Sequence, residues 1–340
     1  MTRVSAAAPL GLLCVVWLLL PHPRRAVLPR SAPHGELLTL TQPRQITAIH
    51  LDELSGLVQS PRHEGVFWAH NDSLDEPRLF AITEEGGLLS EHPVLGATNI
   101  DWEDLTFADG ELDGLLFIGD TGNNFHWRGD LSVYVLREPS PGANQAVRPL
   151  GRYRYRFPDQ GLRPPLTLDA RCRDAEALFW AEGALYLISK CFWGGRAPLY
   201  RLPIPSEELD RLATLSTQIN APPNQADLEL SSARQLRTIE LTLEWVGDLE
   251  QGQRVPPFGW RVTAADYLPE QQRLAVLSYF GVGLYPWPLL FSEGTATPER
   301  VVRFPRKVAK QVEALTWLRA TRGEALIGNE QRELWRVNLR

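Results

Sequence analysis

The chain has 340 residues, 44% hydrophobic and 22% charged, which is enough apolar material for a sizeable core. Its formal net charge is −6, and residues 1–30 hold four arginines and no acid, so the remainder is more acidic than the whole. That balance argues against a phosphate backbone as partner and against adhesion to anionic lipid.

Residues 1–30 carry Arg3, an apolar run over 9–20, and then Pro21, Pro23 and two arginines. The run is too short for a comfortable membrane span and fits an export signal, with an uncleaved N-terminal anchor as the alternative. Residues 31–44 read as a linker and 45–340 as one domain. Cys14 falls in the leader, which leaves Cys172 and Cys191 as the remaining cysteines. They flank a hairpin over 175–190 whose turn falls at Glu182-Gly183, nearly opposite each other. A disulfide is expected there, with two buried thiols as the alternative.

From residue 53 onward, one pattern recurs. The starts are Glu53-Leu54-Ser55-Gly56-Leu57, Asp101-Trp102-Glu103-Asp104-Leu105, Asp174-Ala175-Glu176-Ala177-Leu178, Thr263-Ala264-Ala265-Asp266-Tyr267 and Gln311-Val312-Glu313-Ala314-Leu315. Each opens an apolar strand, and a second strand follows after a tight turn. Short strands repeating in this way predict an all-β fold, a β-propeller of five four-stranded blades. The last blade has only three strands, so residues 45–51 are expected to supply its fourth and close the ring. The third unit is the longest. Its outer strand is placed at 237–246, after an insertion at about 203–235 that leaves room for a sixth blade. Within that insertion, 206–215 reads as a short helix with Ser206 as N-cap, and 220–224 as loop.

Superposing the units on their apolar residues brings Ser55, Glu103, Glu176, Ala265 and Glu313 to one position at the start of the innermost strand. Three carboxylates converging there call for a counter-charge. Oxygen-only donors favour Ca²⁺, held by Ser55, Glu103, Glu176 and Glu313 with water. The alternative is that each Glu bonds neighbouring amides around a hydrated channel. Asp104 alternates away from Glu103 and reads as structural. The second strands end on the same rim, which places Asp72, Asp120, Asn123, Asn124, Lys190, Tyr279 and Asn329 around the mouth. There His70 and Asp120 are the candidates for general acid or base, with His126 as a further histidine on the rim. Asp72, Asn123, Asn124, Arg128, Lys190 and Asn329 are the candidate substrate contacts, Lys190 and Arg128 as anion contacts.

The Glu-Leu-Ser-Gly-Leu, Phe-Trp-Ala-His-Asn-Asp-Ser, Asp-Trp-Glu-Asp-Leu, Ile-Gly-Asp-Thr-Gly-Asn-Asn and Asp-Ala-Glu-Ala-Leu elements resemble a family of exported bacterial β-propellers of largely unassigned function. More distantly, the chain is similar to the calcium-activated nucleotidases (apyrases), five-bladed propellers with a central Ca²⁺ held by inner-strand Glu and Ser residues. That resemblance implies Ca²⁺ on Ser55, Glu103, Glu176 and Glu313, with Ala265 departing from the expected hydroxyl. The mouth is short of basic residues for a polyphosphate. The expectation is therefore an exported protein, periplasmic or secreted, that binds calcium and hydrolyses a small phosphoester or lactone. The alternative is a non-catalytic envelope binding or scaffold propeller with a structural metal.

Overall fold

The computed structural model describes residues 35–158, 172–191, 196–217, 236–250, 261–279 and 281–340. The leader at 1–30 and the 220–224 loop lie outside these residues. Among the described residues, no helix is long and apolar enough to cross a membrane.

Five sheets form the blades of a β-propeller. Blade one is Leu54–Gln59, Val66–Asn71, Arg78–Thr83 and Leu88–Pro93. Blade two is Trp102–Phe107, Leu115–Asp120, Ser132–Arg137 and Gly151–Arg156. Ala175–Ala181, Ala184–Ser189, Arg196–Leu202 and Glu244–Glu250 make blade three. Blade four is Val262–Leu268, Arg273–Ser278, Gly281–Pro286 and Arg300–Arg303. Blade five contributes Val312–Trp317, Glu324–Asn329 and Glu333–Asn338.

Burial follows the distance of each strand from the axis. The innermost strand Trp102–Phe107 is buried at every residue because neighbouring blades cover both its faces. Further out, Gly-Arg-Tyr-Arg-Tyr-Arg over Gly151–Arg156 alternates between buried and wetter positions, the period-two pattern of a sheet with one solvated face. Each innermost strand packs against the next, and Val312–Trp317 packs back on Leu54–Gln59, so the ring closes at five. An apolar cluster fills each of the five junctions. Trp102 lies between blades one and two, and Trp317 between four and five.

The chain start closes the ring, but with different boundaries from those expected. Arg44–Gln45, rather than 45–51, pairs antiparallel with Leu334 and Glu333 of blade five. Ile46 then donates its N–H to the Arg332 carbonyl and Thr47 to that of Gly86, which carries the segment across to blade one. Nor are the described residues of 31–44 a free linker. Glu36–Leu37 pairs in parallel with Val302 and Arg303, Leu38 and Leu40 pack on the core between blades four and five, and Trp335 donates to the Thr41 carbonyl. The apolar Leu residues of this stretch are what hold it to the ring.

The strand expected at 237–246 is two strands. Thr238–Thr242 adds in parallel to the outer edge of blade two, and Glu244–Glu250 completes blade three, with buried Leu243 at the crossover. In the described part of the insertion there is a helix, Ser206–Thr217, and no sixth blade. Its first turn is capped by the Pro205 carbonyl, which accepts from Glu208 and Leu209, so Ser206 lies inside the helix rather than at its N-cap. Glu208 anchors it to blade two by accepting from the Tyr153 hydroxyl at 3.0 Å.

The disulfide between Cys172 and Cys191 is formed, with Cα atoms 4.8 Å apart. It clasps the open end of the hairpin whose turn, Glu182-Gly183, has both residues in the left-handed region, as a two-residue loop requires. Such a bond fits an oxidising compartment.

Candidate metal centre

Every blade carries a bulge at the same place. Between the first and second strands the pairing skips Ser55 in blade one, Glu103 and Asp104 in two, Glu176 in three, Thr263 in four and Glu313 in five. A bulge adds a residue on one side of the ladder and re-aims its side chain. The fourth-blade member of the set is thus Thr263 and not Ala265, which pairs regularly with Val276. The hydroxyls at this level tie blades together. Ser55 Oγ donates to the Glu103 carbonyl at 2.7 Å and Thr263 Oγ1 to the Val312 carbonyl at 3.0 Å.

The bulge in blade two, where Glu103 and Asp104 together oppose Gly119, lets Asp104 reach across the axis. Its Oδ2 accepts the N–H of Leu178 in blade three at 2.9 Å and of Ala265 in blade four at 3.2 Å, while Oδ1 accepts its neighbour Leu105 at 2.9 Å. Asp104 is a structural brace, placed in the channel rather than inside its own blade. Asp266 does similar work between blades four and five, accepting from Thr316 Oγ1 and the Trp317 N–H.

Above this brace the carboxyls gather in two triads. Oxygens of Asp72, Asp101 and Glu103 all lie within 4.8 Å of one another, and so do those of Glu103, Asp174 and Glu176. Glu103 belongs to both. Asp101 and Asp174 stand two residues before the bulge in their blades, at the position held by Glu53, Arg261 and Gln311 in the other three. Burial pushes the Asp101 carboxyl up to about 7, helped by the charges of Asp72 and Asp174. Burial, then Glu176, Asp72 and Asp101, holds Glu103 well above the usual carboxyl range. Glu176 is raised first by burial and then by Asp174, against the pull of Lys190, whose Nζ lies 2.6 Å from its Oε1. Lys190 is buried and its ammonium is held well above the usual range by Glu176, Asp174 and Glu103, which outweigh desolvation.

Three observations test whether a metal suits these residues. The donors are all oxygens, as a hard cation such as Ca²⁺ prefers. Asp174 is 1% exposed, and its Oδ2 has no hydrogen-bond partner although Oδ1 accepts the Asn123 N–H at 2.5 Å. At Gly122 any Cβ would overlap the Glu103 and Asp101 carboxyls, so the loop after blade two's second strand forms a close cradle over the first triad. The residues fit the ion.

Several expected site residues have other work. Glu313 belongs to neither triad. It is buried, and burial and the neighbouring acid Glu330 raise it well above the usual carboxyl range. Ser55 is spent on the Glu103 backbone. His70 is fully buried between Gly56 and Trp102, its Nδ1 2.9 Å from the Asn71 carbonyl, and desolvation pushes it down to about 4. Its ring is buried in the packing between blades one and two. Asp120 Oδ1 accepts from the Asp101 N–H at 3.0 Å and pairs with Arg128 at 2.8 Å. Arg128 also donates to the Gly122 carbonyl and pairs with Asp130. These contacts make the two part of the cradle's wall.

Asn123 joins blades two and three through the Asp174 carboxyl and the Arg173 carbonyl, and Asn329 holds the turn of blade five by accepting from Gln331 and Glu333. Both are buried and do not line the mouth. Asp72 remains, now as a triad member, and Asn124 stays half-buried on the loop. Beside it Phe125 and Trp127 are exposed, Trp127 by 57%. Residues missed by the sequence reading are Asp174 and Glu330. The first had a visible signal, since Asp-x-Glu occurs at 101–103 and again at 174–176.

No protein-family model and no curated protein matches the chain. Among solved structures, one described provisionally as a gluconolactonase matches at 12% identity and TM-score 0.41, over 84% of this chain and 74% of its own. A humanized mutant of the Chaetomium thermophilum Polycomb Repressive Complex 2 matches at 11% identity and TM-score 0.38, over 84% and 72%. Likeness at that level carries no argument about function.

Proposed function

We propose that the protein binds Ca²⁺ at the channel mouth through Asp72, Asp101, Glu103, Asp174 and Glu176, and uses it to hydrolyse a small phosphoester or lactone. The observation that supports this most is the pair of triads meeting at Glu103, with Asp174 Oδ2 left unpartnered. When bound, the ion supplies a Lewis acid that polarises a carbonyl or phosphoryl oxygen. The proton work falls to Glu313 and Glu330, neighbouring acids that lie outside both triads. One carboxylate takes the proton of the attacking water and the pair returns a proton to the leaving oxygen. Glu330 is half-buried and so keeps access to solvent. The net acidity of the mouth favours a neutral lactone or a singly charged ester over a polyphosphate. Trp127 and Asn124 on the rim are the substrate contacts.

A panel of phosphoesters and lactones assayed with Ca²⁺ and with chelator tests this reading. Calcium-dependent turnover is expected, with Glu330→Gln lowering kcat while Ca²⁺ binding is retained. A second reading is an exported binding propeller with a structural metal. It is favoured by the way Asp174 and Asp101 already bond across turns to Asn123, Thr121 and Gly122. Ca²⁺ binding without turnover of any panel member would select it.

A further inference from the structure

Two triads sharing one carboxyl have the layout of a two-ion centre, yet the second of them already faces a cation that belongs to the chain. We infer that Lys190 serves as the second cation of this centre, so that one divalent ion takes the Asp72–Asp101–Glu103 triad and the Lys190 ammonium stands beside Glu176 in the place of a second ion in the Glu103–Asp174–Glu176 triad. This rests on the reading that the cluster binds Ca²⁺.

The geometry carries it in three steps. Lys190 Nζ lies 2.6 Å from Glu176 Oε1, about the distance at which Ca²⁺ itself would sit from a carboxylate oxygen. An ion ligated by that same oxygen would press against the ammonium in both volume and charge. The lysine is also fixed on both sides of its own backbone. Its N–H donates to the Asp174 carbonyl at 2.7 Å, and the next residue is Cys191, bonded to Cys172 two residues before Asp174. The ammonium and the carboxyl it serves are thus clasped by the same hairpin end, and Lys190 is only 6% exposed. By contrast no lysine or arginine ion pair is found on Asp72, Asp101 or Glu103 among the described residues' bridges. The first triad has the cradle of Gly122, and among the described residues no ion pair to it is as close as that of Lys190 to Glu176.

Two consequences follow. Chelation removes one charge centre only, so the second triad keeps its ammonium and the metal-free protein stays folded. Without the ammonium, the second triad becomes an ordinary three-carboxylate cation site.

The test is metal stoichiometry by elemental analysis and isothermal titration with CaCl₂ on chelator-treated, refilled protein. Wild type and Lys190→Arg should bind one Ca²⁺, and Lys190→Met should bind a second. Glu176→Gln should keep the wild-type affinity within about threefold, whereas Asp101→Asn should weaken it about 10–100-fold, the range for disturbing a metal's coordination environment. The Glu176 and Asp101 variants decide the matter if Lys190→Met does not fold. Two ions in wild type, one ion in folded Lys190→Met, or equal losses in the Glu176 and Asp101 variants would each overturn the division. Absence of Ca²⁺ binding in wild type removes the metal reading itself and the division with it, and is seen before any variant is made.

Discussion

Replacing Asp104 by Ala tests how the ring is held at its axis. Its carboxyl accepts three backbone N–H groups, two of them from blades three and four. A buried donor left without a partner costs about 1–3 kcal/mol, so orphaning the two cross-blade N–H donors costs about 4 kcal/mol. For a domain of this size each kcal/mol moves the midpoint by about 2–4 °C, which gives a drop of roughly 8–16 °C. Asp104→Asn keeps one oxygen able to accept from Leu178 and Ala265, and should lose only about 1–2 kcal/mol. Differential scanning calorimetry of the three proteins, each with and without Ca²⁺, gives both numbers. The ion's stabilising increment should persist in both variants, because Asp104 is no part of either triad. An Ala variant that melts within about 2 °C of wild type would show that the axis is held by something else. So would one whose only defect is loss of the calcium response.

Three further outcomes are expected. Reducing the Cys172–Cys191 bond, or replacing both cysteines by Ser, should cost about 3 kcal/mol for a loop of this length and weaken Ca²⁺ binding, since the bond clasps Asp174 and Lys190; urea melts with paired titrations check it. Gly122→Ala places a methyl on the Glu103 and Asp101 carboxyls and should lower Ca²⁺ affinity about 10–100-fold with the melting temperature in chelator nearly unchanged. In chelator, stability should fall as pH rises. Asp101 has a folded pKa of about 7 against an ordinary value of 3.8, so its folded form binds the proton more tightly. The stabilisation is complete below the unfolded value and is lost as pH climbs through 7, by about 4 kcal/mol for this group. A melting temperature that rises between pH 5 and 8 in chelator would contradict the placement of these acids, and Ca²⁺ should flatten the decline.

Much of the fold was legible because the repeat is written in residues that cannot serve elsewhere. The five strand starts, the Glu182-Gly183 turn and the paired cysteines each impose a local geometry, and the ring follows from them. The bulge was not legible in blade four. Thr263-Ala264-Ala265 offers two small apolar residues in succession, so aligning on hydrophobicity slides the register by two and hides the hydroxyl. The switch of the chain between blades two and three over 238–250 was hidden in the same way, because only Leu243 marks the crossover. At the site, residue type gave the acids but not their company. Nothing in the sequence says that Gly56 makes room for His70 to be buried, or that Arg128 turns inward to Asp120. Those outcomes depend on which turns lie next to one another around the ring. Asp174 is the exception, being foreshadowed by the repeated Asp-x-Glu spacing.

The central claim is that the carboxyls meeting at Glu103 hold a divalent cation. Isothermal titration of CaCl₂ into carefully demetallated protein, followed by thermal melts of the same samples, tests it most directly. The account predicts saturable binding and, at about 100 times the dissociation constant, a stabilisation of about 2.7 kcal/mol that Glu103→Gln largely removes. No heat of binding and no shift in melting temperature would show that protons and Lys190 alone neutralise the cluster, and the metal centre with the hydrolase built on it would be wrong.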